Sequence, residues 1–222
     1  MILVPAIPMT VAVKVIINCA MSADGKIALK TRRQTQISNG VDKRRVHKLR
    51  NSVDAILVGI ETVLADDPKL TVNKKYVSKP RHPLRIVLDS TGRTPRKAQV
   101  LNGAARTLIV TNDRSKTKFP NAEVIRCGKD DIDLKRLVKI LEKRRVRRLL
   151  VEGGSKVIWS FLEARIADEI DIFIGSMVIG GESAPTPAGG LGAPDAKSVV
   201  ALRLKSVKAL GTGVLVSYQV VK

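Results

Sequence analysis

Glu152-Gly153-Gly154-Ser155-Lys156 places a carboxylate directly before two glycines, where a strand pattern, Arg147 to Val151, gives way to a helical pattern carrying Val157, Ile158, Phe161 and Leu162. Small residues at such a junction let the backbone approach a ligand, and the unpaired amides of a helix start attract phosphate. The pattern is neither a Gly-x-Gly-x-x-Gly fingerprint nor a P-loop, and a tight turn that lets a helix pack closely accounts for it equally well. A strand ending just before Glu152 puts that acid where open α/β sheets bind ligands; a solvated surface carboxylate is the alternative. A second cluster, Thr62-Val63-Leu64-Ala65-Asp66-Asp67-Pro68, holds two acids in a turn bounded by proline. They can accept hydrogen bonds from ribose hydroxyls, or simply end a helix. A third, Met21-Ser22-Ala23-Asp24-Gly25-Lys26, is a sharp turn at the end of a strand.

Metal chemistry is not expected. His47 and His82 are the only histidines, and neither lies near a second ligand at a recognisable spacing. Cys19 and Cys127 are too few for a disulfide framework and form no Cys-x-x-Cys pair, so a reducing cytoplasm is the expected setting. Lys14 and Asp24 interrupt the most apolar window, so no membrane span is expected, and Met1 to Thr10 lacks the marks of a cleaved signal. The 222 residues carry 40 Lys plus Arg against 20 Asp plus Glu, a net charge of +20 that attracts anions. Runs such as Lys43-Arg44-Arg45 and Lys143-Arg144-Arg145 suit a solvated helix face or a nucleic-acid surface. With aromatics at 3% there is little to stack bases on, so nucleic-acid binding is expected to be incidental.

These groups need a scaffold. Strands are expected at Val11 to Asn18, Asp54 to Val58, Arg85 to Leu88, Thr107 to Thr111, Glu123 to Arg126, Arg147 to Val151, Glu169 to Ile174, Val199 to Ala209 and Val214 to Val221. The last two are expected to form a hairpin through Gly211-Thr212-Gly213. Helices are expected over Asn39 to Arg50 with Ser38 as the cap, over Gly59 to Ala65, over Leu134 to Arg144, where Leu134, Leu137, Val138 and Leu141 share one face, and after Gly154. Lys74 to Pro83 reads as a flexible loop and Gly180 to Pro194 as a long one. Alternation of strand and helix, followed by a run of strands, implies an α/β fold: a mostly parallel twisted sheet with antiparallel C-terminal strands and flanking helices. One domain, residues 11–222, follows a lead-in over residues 1–10.

Asn18 to Lys26, Val46-His47-Lys48-Leu49-Arg50, Asp54 to Gly59, Thr62 to Pro68 with Leu70-Thr71-Val72, Arg85 to Ser90 and Glu152-Gly153-Gly154 together resemble the riboflavin-biosynthesis reductases, in order and spacing, over nearly the whole chain. The resemblance implies a dihydrofolate-reductase-like fold and reduction, with NADPH, of the ribosylamino group of 2,5-diamino-6-ribosylamino-4(3H)-pyrimidinone 5′-phosphate to its ribityl form. NADH is the alternative cofactor. It further implies a homodimer. The deaminase ligands fused to this reductase in bacteria are absent, so the chain is similar to the stand-alone archaeal or fungal type, which acts before deamination.

By the same resemblance, Ala20, Thr62, Asp66, Ser90 and the turn Gly153, Gly154, Ser155, Lys156 and Val157 are expected to contact the cofactor. Gln34, Arg50, Leu70, Asn73 and Glu152 are expected to contact the phosphorylated substrate, with Glu152 as the catalytic carboxylate. Two positions depart from the bacterial pattern: Asn73 stands where an arginine serves the substrate phosphate, and Gln36 where an aromatic packs near the nicotinamide. Arg50, Lys74 or Lys75 are the nearby cations for that phosphate, and Arg114 or Lys116 for the 2′-phosphate of the cofactor. A reductase of the deaminated intermediate or of a pterin, and a basic nucleic-acid-binding protein, are the competing readings.

Overall fold

Runs such as Ala55-Ile56-Leu57-Val58 and Leu108-Ile109-Val110 are apolar at every position, which suits strands covered on both faces. In the computed structural model, which describes residues 12–33 and 35–222, they are interior strands of a nine-stranded sheet. Residues 1–11, with the expected lead-in, and Gln34 lie outside the described residues. The strands are β1 (Lys14–Ser22), β2 (Ala55–Gly59), β3 (Leu84–Leu88), β4 (Thr107–Thr111), β5 (Glu123–Arg126), β6 (Arg148–Val151), β7 (Glu169–Gly175), β8 (Leu202–Leu210) and β9 (Gly213–Val220). They lie in the order β5-β4-β3-β2-β6-β1-β7-β9-β8. β1 to β7 are mutually parallel, and β9 and β8 extend the sheet antiparallel beyond β7.

Helices α1 (Gly40–Asn51), α2 (Ile60–Asp66), α3 (Leu134–Lys143) and α4 (Ser155–Glu163) cover the two faces. Strand alternation decides which residues meet which helix. Val15, Ile17, Leu57 and Val151 share a buried cluster with Leu137 and Leu141 of α3 and with Ile158 and Phe161 of α4. Ile16, Ile56, Val58 and Leu150 pack instead with Ile60 and Val63 of α2 and Leu49 of α1.

Most elements fall within a few residues of the expected bounds. β1 runs on to Ser22, because β7 keeps pairing with it as far as Ser22 opposite Gly175. The cap of α1 is Asn39, whose side chain accepts from the N–H groups of Val41 and Asp42, and not Ser38. Ser38 donates to the buried Asp42 carboxylate at 2.5 Å instead. Strand β8 starts at Leu202 and not Val199, because Asp195 caps a 3₁₀ turn over Ala196–Ser198 just before it. A second 3₁₀ turn, Gln99–Leu101, carries no periodic signal in the sequence yet buries Val100 and Leu101.

Arg85 on β3 is fully buried, and among the described residues no carboxylate pairs with it. Its guanidinium donates to Thr107 Oγ1 (3.0 Å), Asn102 Oδ1 (3.0 Å) and the carbonyls of Lys69 (3.3 Å), Gln99 (3.2 Å) and Ala105 (2.6 Å). A cation surrounded by neutral acceptors is desolvated, and its pKa falls below the ordinary arginine value. Replacing Arg85 by Met should leave those carbonyls without donors and lower the unfolding free energy by about 2 to 4 kcal/mol. Urea unfolding of Arg85→Met measures this; a loss under about 0.5 kcal/mol would show the network to be dispensable.

Candidate active site

β2 and β6 lie side by side, yet the chain leaves them on opposite faces of the sheet, through α2 and through α4. Such a divergence opens a crevice outside the carboxyl ends of the strands. The two turns are laced together there: Gly59 N–H donates to Gly153 O at 2.8 Å and Glu152 N–H to Leu57 O at 2.9 Å. Glycine is needed on both sides. A Cβ at Gly59 would come within 2.7 Å of Val157 Cγ2, and one at Gly154 within 3.3 Å of Thr62 Oγ1. Gly153 has φ +113, a conformation open to glycine, and a cis peptide joins it to Gly154. No side chain caps α2 or α4, so the first amides of both helices remain available to an anion in the crevice.

The polar centre on the α1 face is an ion pair. Arg50, in the last turn of α1, donates from Nε to Glu152 Oε1 at 2.9 Å and from Nη2 to Glu152 Oε2 at 2.6 Å, with both side chains largely buried. Its Nη1 donates to Thr71 O at 3.3 Å. Three of the five Arg50 N–H donors are thus engaged within the protein and two remain, while Lys74 and Lys75 stand exposed on the neighbouring loop. Leu70 is buried with φ +50, and Asn73, exposed, turns the chain by accepting from Lys75 N–H at its side chain and from Tyr76 N–H at its carbonyl.

The segment expected to be flexible, Lys74 to Pro83, is instead anchored near both ends. His47 Nδ1 accepts from Asn73 N–H and His82 Nδ1 from Val72 N–H, each at 3.2 Å, while Arg81 N–H donates to Asn51 Oδ1 at 2.6 Å. The His47 ring stacks on Tyr76, centroids 4.9 Å apart. Burial, and then the neighbouring Arg50 charge, push the His47 pKa below its ordinary value. In the sequence both histidines are weighed as metal ligands, and His47 also within Val46-His47-Lys48-Leu49-Arg50; their backbone partners sit in a segment without periodicity, so neither anchoring role is visible there.

The remaining expected residues line one edge of the sheet. Ala20 ends up half-buried near the end of β1, Thr62 beside Gly154, Asp66 at the last turn of α2, and Ser90 just after β3. Because β1, β6, β2 and β3 are consecutive neighbours, this row spans about 14 Å at the usual strand spacing, long enough for an extended dinucleotide. The two adjacent acids separate in role. Asp67 accepts from Gln99 N–H at 2.7 Å and fixes the turn, whereas desolvation by surrounding protein raises the Asp66 pKa above the ordinary carboxylate value. Arg114 and Lys116 follow β4, one strand further on, and Arg114 is paired with Asp130.

Asp24 is structural. It accepts from Ser22 Oγ (2.6 Å), Ile179 N–H (3.0 Å) and Gly180 N–H (2.7 Å), bonds that lower its pKa to about 2. The loop that it holds reaches across to α4, where Gly189 N–H donates to Ser155 O at 3.1 Å. Burial raises the Cys19 thiol to about 12, which makes it a poor nucleophile. Among the described residues there is no cluster of metal-ligating side chains.

This geometry has known counterparts. The RibD C-terminal domain family matches residues 13–216. A Methanothermobacter thermautotrophicus protein named 2,5-diamino-6-ribosylamino-4(3H)-pyrimidinone 5′-phosphate reductase is 40% identical over 93% of this chain and 97% of its own length. One of the same name from Archaeoglobus fulgidus is 38% identical over 91% and 96%. Among solved structures, the bifunctional deaminase/reductase of Thermotoga maritima superposes with a TM-score of 0.80 at 28% identity, over 95% of this chain and 57% of that one. A dihydrofolate reductase of Enterococcus faecalis, at 10% identity and a TM-score of 0.51 over 94% of this chain and 97% of its own, shares the fold alone. The match along nearly the whole chain places this protein in the RibD C-terminal domain family, the reductases of riboflavin biosynthesis.

Proposed function

We propose that the chain reduces the ribosylamino group of 2,5-diamino-6-ribosylamino-4(3H)-pyrimidinone 5′-phosphate to the ribitylamino form, before deamination, with NADPH as the reductant. The observation that carries this reading is the placing of a glycine-lined anion cradle and a buried Arg50–Glu152 pair on one crevice, in a chain 40% identical to a reductase of that name. The cradle fits a dinucleotide: the Gly153 and Gly154 backbone leaves room that any Cβ would take up, and Ser155, Lys156 and Val157 offer amides at the start of α4. Thr62, Asp66, Ala20 and Ser90 would hold the rest of the cofactor, and Lys116, with Arg114, supplies cations toward its 2′-phosphate. When bound, the reduced nicotinamide supplies the hydride that C1′ of the ring-opened imine accepts.

The protein's own part is orientation and charge. Glu152 holds the polar groups of the substrate and offsets the positive charge of the imine, while Arg50 keeps the carboxylate in place. Leu70, whose side chain is closed into the core, meets the substrate through its backbone, Asn73 and the neighbouring Lys74 and Lys75 face its phosphate, and Gln34 belongs to the same set by family likeness. The excess of 20 positive charges draws a phosphorylated substrate and an anionic cofactor toward the crevice. A pterin substrate is less well served, since it needs an aromatic-lined cleft facing the carboxylate and aromatics are 3% of the chain.

A homodimer is part of the proposal, with both thiols free in a reducing cytoplasm. Leu202, Leu204 and Val207 of β8 and Val214 of β9 stand exposed on the edge of the sheet that lies beyond α4, an apolar surface suited to a second copy.

Three measurements test these statements. Purified protein should oxidise NADPH with the diaminopyrimidine substrate and show no turnover with its deaminated counterpart or with dihydrofolate; turnover on either of those alone would replace the assignment. Glu152→Gln should lower kcat about 100-fold, leaving the dissociation constant for NADPH unchanged, whereas Gly154→Val should weaken NADPH binding at least about tenfold. Unchanged kcat in the first variant would remove the catalytic role of Glu152. Light scattering should report a dimer for the wild type and a monomer for Leu204→Glu/Val207→Glu; a monomeric wild type would end the dimer proposal.

A further inference from the structure

The chain's two histidines do the same thing at adjacent peptide units. His47, on α1, and His82, two residues before β3, present Nδ1 to the N–H groups of Asn73 and Val72, each at 3.2 Å. Arg50 adds a third anchor one residue earlier, at Thr71 O. Three consecutive residues of the loop that carries Leu70 and Asn73 are thus held by side chains from outside it. Nothing in the reaction proposed above uses either imidazole.

We propose that His47 and His82 are positioning residues that fix the substrate loop over Leu70 to Tyr76 through its Val72 and Asn73 amides, and that the grip requires both rings to be neutral. Nδ1 can accept a hydrogen bond only when it carries no proton, so each ring holds its proton on Nε2. Protonation would set an N–H against an N–H and release the loop. The charged and titratable groups around His47 are Arg50 on its own helix, Glu152 from the turn after β6, and Tyr76 with Lys75 on the loop. Beside His82, Arg81 is paired with Asp54.

The sign follows from the His47 environment. With the loop closed, burial and Arg50 disfavour the charged ring. With the loop open, the ring sheds the burial that the loop supplies and takes up a proton more readily, while Arg50, on the same helix, acts in both states. The closed loop is therefore fully favoured above about pH 6.5 and loses ground as the pH falls below it.

This proposal rests on the reductase reading for its effect on turnover, but its physical content does not. Amide hydrogen exchange followed by NMR, on the full chain without substrate, reads the grip directly. The protection factor of Asn73, the amide held by His47, should fall at least about threefold between pH 7.5 and pH 5 in the wild type. In His47→Asn/His82→Asn, where the amide oxygens take the place of Nδ1 without titrating, protection should persist at both pH values. His47→Ala/His82→Ala should lose protection at both. In turnover, the Asn variant should keep the wild-type KM at pH 7.5 and rise less in KM than the wild type at pH 5, with kcat equal in the two; the comparison cancels titration of the substrate phosphate. Equal protection of the wild type at the two pH values, or an equal fall in the Asn variant, would overturn the proposal. A positive exchange result with no turnover on the diaminopyrimidine would leave the grip standing and refute the substrate assignment alone.

Discussion

The Arg50–Glu152 ion pair is the constraint on which the rest of the site depends. It joins the last turn of α1 to the turn after β6, two elements about a hundred residues apart in sequence. Burying both partners costs solvation that only close, bidentate geometry offsets, and removing one would leave the other charge stranded. Because Glu152 follows a strand laced to β2 through Leu57 O, the position of α1 over the sheet is referred to the most buried strands of the fold. Through Thr71 O and His47 the same helix end then dictates where the loop over Leu70 to Tyr76 runs.

The sheet was readable wherever both faces are apolar. Thr107–Thr111 matches its expected bounds, since a run of β-branched residues has no competing use at that length. Errors fall where two residues compete for one role. Ser38 and Asn39 are both good caps, and only the buried Asp42 carboxylate, which claims Ser38, decides between them. Asp66 and Asp67 are indistinguishable in sequence until the Gln99 amide takes Asp67. The site divides in the same way. A Gly-Gly turn after a strand announces itself, whereas the histidine anchors and the Arg85 network depend on backbone partners brought near by loops without periodicity.

Arg85 and Asp89 show how that part of the fold is specified. The Asp89 carboxylate, buried at the end of β3, accepts from the N–H groups of Gly92, Arg93 and Thr94 and from the Thr94 hydroxyl. Arg85, four residues earlier on the same face, donates to carbonyls of the segments before β3 and before β4. One strand thus supplies an all-acceptor group to a turn rich in free amides and an all-donor group to loops rich in free carbonyls. The irregular backbone on the α2 side is satisfied without helices or extra strands, as buried peptide groups require.

Loop stability and ligand access pull in opposite directions at Leu70 to Tyr76. A segment that packs over a phosphorylated substrate gains from being ordered in advance, because less conformational entropy remains to be lost on binding. Main-chain anchors achieve this without committing the side chains: Val72 and Asn73 are gripped by their amides, so the Asn73 side chain is left to shape the turn, and Lys74 and Lys75 stay exposed. An arginine at position 73 would bring its own charge to the phosphate. With Asn there instead, the cations lie one and two residues further on, and the direction in which they project is set by the turn that the Asn73 carbonyl closes with Tyr76 N–H. On the proposed placing of the substrate phosphate, the asparagine at position 73 and the double histidine grip are coupled, since cations on the far side of a turn can meet a phosphate only if the turn itself is held.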